Sequence, residues 1–538
     1  MTHQVAKAAL NSCFKAWTSK LTINTMKNIV FSFCSFALLI VLFSCVKDNN
    51  KDSFDPKEVG GAIITSDGLR VEYEGNSYPP FLQIEDSLFF VLPQEANVSI
   101  CTISYSKPDA VIQHNGKSGT SVEVDFTDLK NGSPIEIASL NGEVRIGMVV
   151  RCLNTNLPVV SVITDNNDSI IDKINWINSS MKILSNGDTI IYENTKIRGR
   201  GNATWTEFPK KPYNLKLSEK RHVLGMNKHK RWCLLALWNG FIGNDLMFEC
   251  TRRAQSFEWS PSGEFVELIL NGKYQGLYYL CEQIRVDQNR INIQELSPED
   301  NDYPNVSGGY LLEYDNLFDE PYKFRSPELD LPVNLKSPND NVSFDQLQYI
   351  TNYIGTLEKE LKKLETGETS HYQDYLDVET FADYMLVLAI VGNYEAYKPR
   401  SVFMHKGRDG VDSPAGTISK LKIGPLWDQE IFSSKSIRLW FATNSGGGYY
   451  KYLFMDKAFK DLLIRRWEQY KPSLLGENGY EPFLDYLEKI VEKIRYSSER
   501  DLKYWGNTKV DFEQQYQNIL LDFQNSIFWM DSQMEAFK

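Results

Sequence analysis

Hydrophobic and polar positions alternate in short runs from residue 60 to 156, as in Leu88–Leu92, Ser121–Phe126 and Val144–Val150. That period places every second side chain on one buried face. Asn115-Gly116, Asn131-Gly132 and Asn141-Gly142 separate the runs as turns, so residues 60–156 are expected to form a β-sandwich. Residues 157–470 begin with further strands at Ile190–Tyr192 and Tyr213–Leu217, a helix over Asn244–Gln255, and a hairpin. The hairpin joins Phe265–Leu270 to Leu277–Leu280 through Asn271-Gly272.

The period then lengthens to three and four at Leu347, Ile350, Ile354, Leu357, Leu361 and Leu364. Ser343 with Gln346 forms a capping box and Gly367 stops the pattern, so one packed helix is predicted between them. Asp377–Val391 is apolar nearly all round, which marks a buried helix. Two strand-like runs follow, Val402–His405 and Leu421–Ile423, and beyond residue 450 the pattern is helical to the end. Residues 471–538 are expected to pack as C-terminal helices on the preceding domain.

An apolar stretch from Ile29 to Phe43 follows Lys27 and ends in Ser44-Cys45, the order of a secretory signal and too short for a convincing span. Leu42-Phe43-Ser44-Cys45 resembles a bacterial lipobox, which makes Cys45 the expected lipidated first residue of the mature chain. An ordinary signal peptide or short anchor is the alternative. Met26, beside Lys27, is the expected true start; residues 46–59 read as a solvated tether. The expected location is therefore outside the cytoplasm, on the outer membrane or cell surface.

Charge changes the picture little. The net charge of −12 becomes −16 once the four lysines of Met1–Cys45 are removed, which disfavours a nucleic-acid coat while allowing a local basic groove. The five cysteines after Cys45 form no CxxC pair, so no zinc site or disulfide framework is implied. Six histidines without HExxH, and no Ser in GxSxG, remove the metalloprotease and hydrolase templates. Gly116-Lys117-Ser118 lacks the earlier P-loop glycine, where Val111 stands, and reads as a turn.

Two segments hold more polar groups than a core needs. In Lys196–Trp205, Gly199 and Gly201 permit close backbone approach, and Arg198 and Arg200 offer planar forks to phosphate oxygens. Asn202, Lys210, Lys211 and Lys216 lie nearby in sequence. A phosphate cradle and a salt-bridged basic turn both fit this spacing. From Ala389 to Glu430, a buried helix, a polar loop, a hairpin and an Asp-bearing turn follow the order in which protein kinases place a catalytic carboxylate and their metal ligands. Glu395 would be the first, with Asp428 and Glu430 as ligands; carboxylates that merely cap loops are the alternative. Glu282, at a strand end, reads as a salt bridge.

Taken in order, four blocks resemble those of the CotH kinase family over about residues 157–470. They are Ile197–Asn202 with Thr204-Trp205 and Pro209–Tyr213, Leu270–Tyr278 before Glu282, Gly308–Glu313, and Gly424–Asp428. The resemblance implies a divergent α+β protein-kinase-like domain behind the β-sandwich, with ATP and Mg²⁺ serving phosphoryl transfer to a protein acceptor. It implies Glu395 as catalytic, Asp428 and Glu430 as metal ligands, and Arg198, Gly199, Arg200, Gly201, Asn202, Lys211 and Lys216 around the nucleotide. The family's Asn-x-Asp-Gly is Asn393-Tyr394-Glu395-Ala396 here, its later metal-binding Asn is replaced at Arg400 or Ser401, and its Trp-Asp-x-Asp ends in Glu430. Those changes imply slow or lost transfer, and open a second expectation: a silent surface module that binds a protein or glycan partner.

Overall fold

The computed structural model describes residues 64–392, 399–428, 448–476 and 481–538. Met26, Cys45 and the tether lie outside the described residues, as do Glu395 and Glu430.

Alternation in the first hundred described residues yields two sheets. One orders β2 (Asn76–Tyr78), β1 (Leu69–Tyr73), β5 (Cys101–Tyr105) and β8 (Ser121–Val124). The other orders β3 (Leu82–Ile84), β4 (Ser87–Leu92), β10 (Arg145–Asn154), β9 (Ser133–Ser139), β6 (Ala110–His114) and β7 (Lys117–Gly119). Val71, Phe90, Ile103, Ile112 and Ile137 are wholly buried, and the Phe90 and Phe126 rings meet at 6.5 Å. Cys101 and Cys152 are buried free thiols. Only the β4–β10 contact is parallel, so it joins segments that no local turn connects.

The next seven strands close into a barrel. They are β11 (Val159–Thr164), β12 (Ile177–Ser185), β13 (Asp188–Gly199), β14 (Tyr213–Val223), β15 (Met226–Leu235), β16 (Gly263–Leu270) and β17 (Lys273–Glu282). Their order is 11-12-13-14-15-17-16, and a parallel β11–β16 pairing closes the ring. Ile197, Leu215, Trp232, Leu234, Leu268, Tyr278 and Leu280 fill the interior. The alternate positions therefore face outward. The short helix α1 (Ala203–Thr206) follows β13, and α2 (Gly243–Arg253) lies between β15 and β16.

A five-stranded sheet follows, ordered β19 (Lys323–Arg325), β20 (Pro332–Ser337), β18 (Tyr310–Tyr314), β21 (Val402–Lys406) and β22 (Lys422–Ile423). Helix α3 (Phe344–Thr366) carries the expected capping box from Ser343 and Gln346, and Gly367 ends it at φ +73°. In α4 (Val378–Val391) Asp377 caps the N-terminus, and every residue from Thr380 to Val391 is buried. The remaining helices are α5 (Tyr450–Leu453), α6 (Lys457–Leu475), α7 (Glu481–Trp505) and α8 (Phe512–Phe537). A continuous apolar core joins α2, β18, α3, α4 and α6–α8. Among the described residues, no helix is long and apolar enough to cross a membrane.

Helix α7 ties this core to the barrel and sandwich. Lys210 Nζ, fully buried, donates to Asp501 Oδ1 and to the Leu277 carbonyl, each at 2.6 Å, while the Leu277 amide donates to the same carboxylate at 2.8 Å. Gly276 has φ +98°, and a Cβ there would lie 1.9 Å from Asp501 Oδ1, so only glycine admits this approach. One residue earlier, Arg500 pairs with Glu267 of β16 and donates to the Asn154 carbonyl of β10 at 2.7 Å.

Candidate functional site

Gly199 and Gly201 bring the chain onto itself. A Cβ on Gly199 would lie 2.5 Å from the Trp205 ring and 2.8 Å from the Asp172 carbonyl, and Gly201 sits at φ +81°. Lys211 Nζ donates to the Trp205 carbonyl at 2.5 Å, and Asn202 Oδ1 accepts from exposed Lys173 at 3.0 Å. Lys211 and Asn202 thus stitch the turn after β13. Lys210, expected as a neighbouring point charge, is instead the buried partner of Asp501.

Cationic chemistry gathers on the outer face of the barrel. Register pairs Lys196 with Lys216 and Lys216 with Arg231; Arg198 pairs with Asn214, and Asn214 with Cys233. Cross-strand partners share a face, so these side chains project together. Trp176 takes two guanidiniums on its ring, Arg198 at 4.5 Å and Arg231 at 4.9 Å from the centroid. Arg285 stands close enough to both to matter electrostatically. Burial, then repulsion from Arg285 and Arg198, pushes the Arg231 pKa down to about 10. Repulsion from Arg231 is likewise the main force lowering Lys216. Arg198 Nε and Arg285 Nε are buried with no hydrogen-bond partner. The nearest shared carboxylate, Glu320, is itself held by Lys336.

An acidic end meets this cluster. Arg200 lies over the Trp427 ring at 5.6 Å and, with Arg400, draws the adjacent Asp428 carboxyl down. Desolvation on its inner side outweighs them and raises the Asp428 pKa, with Asp315 adding to the rise, although the residue keeps an exposed side. Asp315 Oδ2 accepts from the Ser401 amide at 3.0 Å and Oδ1 from the Leu317 amide at 2.7 Å, which fixes its carboxylate. Ser401 and Asp428 both adopt left-handed backbone conformations, φ 50° and 61°, uncommon for residues with a Cβ. Glu282 takes the strand-end role read from sequence: it faces Arg290 at 3.8 Å and accepts from the Ser262 amide at 3.0 Å.

The register thus places Arg198 and Lys216 on one face of the barrel, Arg200 stands beside Trp427 and Asp428, and Gly199, Gly201, Asn202 and Lys211 shape the turn between β13 and β14. Arg231, Arg285 and Asp315 escaped the sequence reading. The Lys230-Arg231 run one strand position before Cys233 was the available signal for the first. Arg285 lies past a strand end and Asp315 past β18, where no periodicity distinguishes them.

Among the described residues, no group of three or more His, Cys, Asp and Glu side chains is placed to hold a metal ion.

The family model described as CotH kinase protein matches residues 197–526, more than half of the chain, and the chain belongs to the CotH kinase family. Membership implies kinase-like activity with nucleotide and metal use in general. A solved structure assigned provisionally as a glycoside hydrolase of Bacteroides thetaiotaomicron is similar at 13% identity and a TM-score of 0.15, over 39% of this chain and 55% of that one. The chain thus spans about half the length of that structure, and so slight a likeness carries no argument. No curated protein matches.

Proposed function

We propose that this chain is an exported, lipid-anchored CotH-family protein whose cleft binds the phosphates of ATP and whose phosphoryl transfer to protein is slow or lost. The observation carrying this reading is the crowding of Arg198, Arg231 and Arg285, in which Arg198 Nε and Arg285 Nε are buried and unpartnered. An unpaired buried donor costs ~1–3 kcal/mol, more when charged, and a phosphate group would recover it. ATP in the cleft would bring the transferable phosphoryl group, with Mg²⁺ offsetting part of its charge. From this chain, Arg198, Arg231 and Arg285 would hold phosphate oxygens, Arg200 would bridge toward Asp428, and Asp428 with Glu430 would supply metal ligands. Glu395 would accept the proton of the acceptor hydroxyl, though its extra methylene shifts the carboxylate by about 1 Å from the family's reach.

Replacement of a metal-binding Asn at Arg400 or Ser401 favours binding over catalysis. A silent module that recognises a protein or glycan partner through the same scaffold is the second reading. Thermal denaturation with ATP, ADP and inorganic triphosphate, with and without Mg²⁺, separates the two. Stabilisation by all three supports the anion cleft; none at any Mg²⁺ concentration refutes it and leaves the partner-binding module. Incorporation of labelled phosphate into the protein itself reports whether transfer survives.

A further inference from the structure

Cys233 of β15 and Cys281 of β17 stand directly opposite each other in an antiparallel ladder. Their side chains therefore leave the sheet on the same side, with Cβ atoms about 4.5–5.5 Å apart. A disulfide needs about 3.5–4.5 Å, so a shift of about 1 Å suffices to join them. That side is the arginine-bearing face, because Cys233 faces Asn214 across the other ladder and Asn214 faces Arg198. Cys233 Sγ donates to Asn214 Oδ1 at 3.3 Å.

The pair is chemically unequal. A hydrogen bond from Cys281, with help from Arg200, Arg290 and Arg285, holds the Cys233 pKa down to about 7, whereas burial pushes Cys281 well above the ordinary thiol value. The other thiols of the folded region lack this arrangement. Burial drives Cys250 up to about 12, and raises Cys101 and Cys152 as well. One nucleophilic sulfur beside one protonated sulfur is the division of labour that a dithiol couple requires.

We propose that Cys233 and Cys281 form a peroxide-oxidisable dithiol beneath the arginine-bearing face of the barrel, closing to a cross-strand disulfide. The Cys233 thiolate attacks hydrogen peroxide, the O–O bond breaks, and Cys233 becomes a sulfenic acid as hydroxide leaves. The Cys281 sulfur then attacks Cys233 Sγ, forming the S–S bond; the departing hydroxyl takes the Cys281 proton and leaves as water. Two electrons pass from the sulfurs to the peroxide in total. Oxidation also withdraws a negative sulfur from beside Arg200, Arg285 and Arg290, so an anion in the cleft meets less competition. That consequence rests on the anion-binding reading above.

The purified, reduced protein is treated with hydrogen peroxide, denatured with N-ethylmaleimide and mapped by mass spectrometry. The expected result is a linked Cys233–Cys281 peptide with maleimide on Cys101, Cys152 and Cys250. In Cys281→Ser, reaction should halt at a sulfenic acid on Cys233 that dimedone captures; should that variant not fold, the wild-type peptide map decides alone. Maleimide on both Cys233 and Cys281, or a Cys101–Cys152 link as the sole disulfide, overturns the proposal. Inorganic triphosphate should bind the oxidised form severalfold more tightly than the reduced form. Equal affinity removes the coupling, while a linked peptide in a protein that binds triphosphate in neither state sustains the dithiol and refutes the anion cleft.

Discussion

Replacing Lys210 by Met tests whether the second sequence block is structural. The Lys210 ammonium is completely buried, and its partner Asp501 is 4% exposed, so removing the lysine leaves a carboxylate sealed in the protein with only the Leu277 amide for company. Breaking one side of such a pair costs ~3–5 kcal/mol, because the remaining charge is neither solvated nor compensated. Asp501→Leu should cost a similar amount. The double variant Lys210→Met/Asp501→Leu removes both charges but strands the Leu277 amide and carbonyl, at ~1–3 kcal/mol each. It should therefore fall short of the two singles added together by more than ~2 kcal/mol. The transition is followed in urea by the fluorescence of Trp505, whose Nε1 donates to the Gln275 carbonyl at 3.0 Å beside the pair. A loss below ~1 kcal/mol in Lys210→Met, or strict additivity in the double variant, would refute the buried-pair argument.

Arg198→Ala and Arg200→Ala should each weaken nucleotide or triphosphate binding tenfold or more by calorimetry, since one charge-assisted contact is worth ~1.5–3 kcal/mol. Lys211→Ala, which loosens only the turn at Trp205, should cost less than either. Asp428→Asn should abolish any Mg²⁺ dependence of nucleotide binding, and Glu395→Asp should raise any measured transfer; brisk wild-type turnover lowered by Glu395→Asp would show that the longer carboxylate is an adapted base. His229 accepts from the Arg231 amide at 2.9 Å and is held down to about 4 by burial first, then by Arg290. The unfolded chain therefore takes up the proton first, and stability falls as pH drops from about 6.5 to 4, by up to ~3 kcal/mol; His229→Asn, which keeps an acceptor, should flatten that part of the pH profile. Cys45→Ala should release the protein from membranes, as read by fractionation.

Local pattern carried far where one face of an element is buried. The capping box at Ser343, the all-buried helix ending at Val391, the hairpin across Asn271-Gly272 and the helix around Asn244 all stand where the sequence placed them, within a few residues. Closure of the barrel was not legible, because the β11–β16 pairing joins strands separated by five others. The helices after residue 450 read as structural, but nothing local shows that α7 sends Asp501 back to Lys210. The family blocks singled out Arg198, Arg200 and Asp428, and the structure sets Arg200 beside the Trp427 ring and Asp428. Spacing could not show these contacts: Lys211 bonds within its own turn, Asn202 accepts from Lys173 of an earlier loop, and Arg231 and Arg285 supply charge from a different strand and a loop.

Because 291 residues separate Lys210 from Asp501, the barrel has a constraint in time as well as in space. A ribosome or a secretion channel delivers the chain from its N-terminus, so the seven barrel strands emerge long before the carboxylate that neutralises Lys210 in the β13–β14 connection. Until α7 arrives, closing the ring would bury an unpaired charge, and loop closure over that distance is entropically slow. The barrel should therefore remain open while the polypeptide is still being delivered. A nascent chain stalled before residue 501 should be cut by protease within residues 159–282, and one extended past the helix should resist.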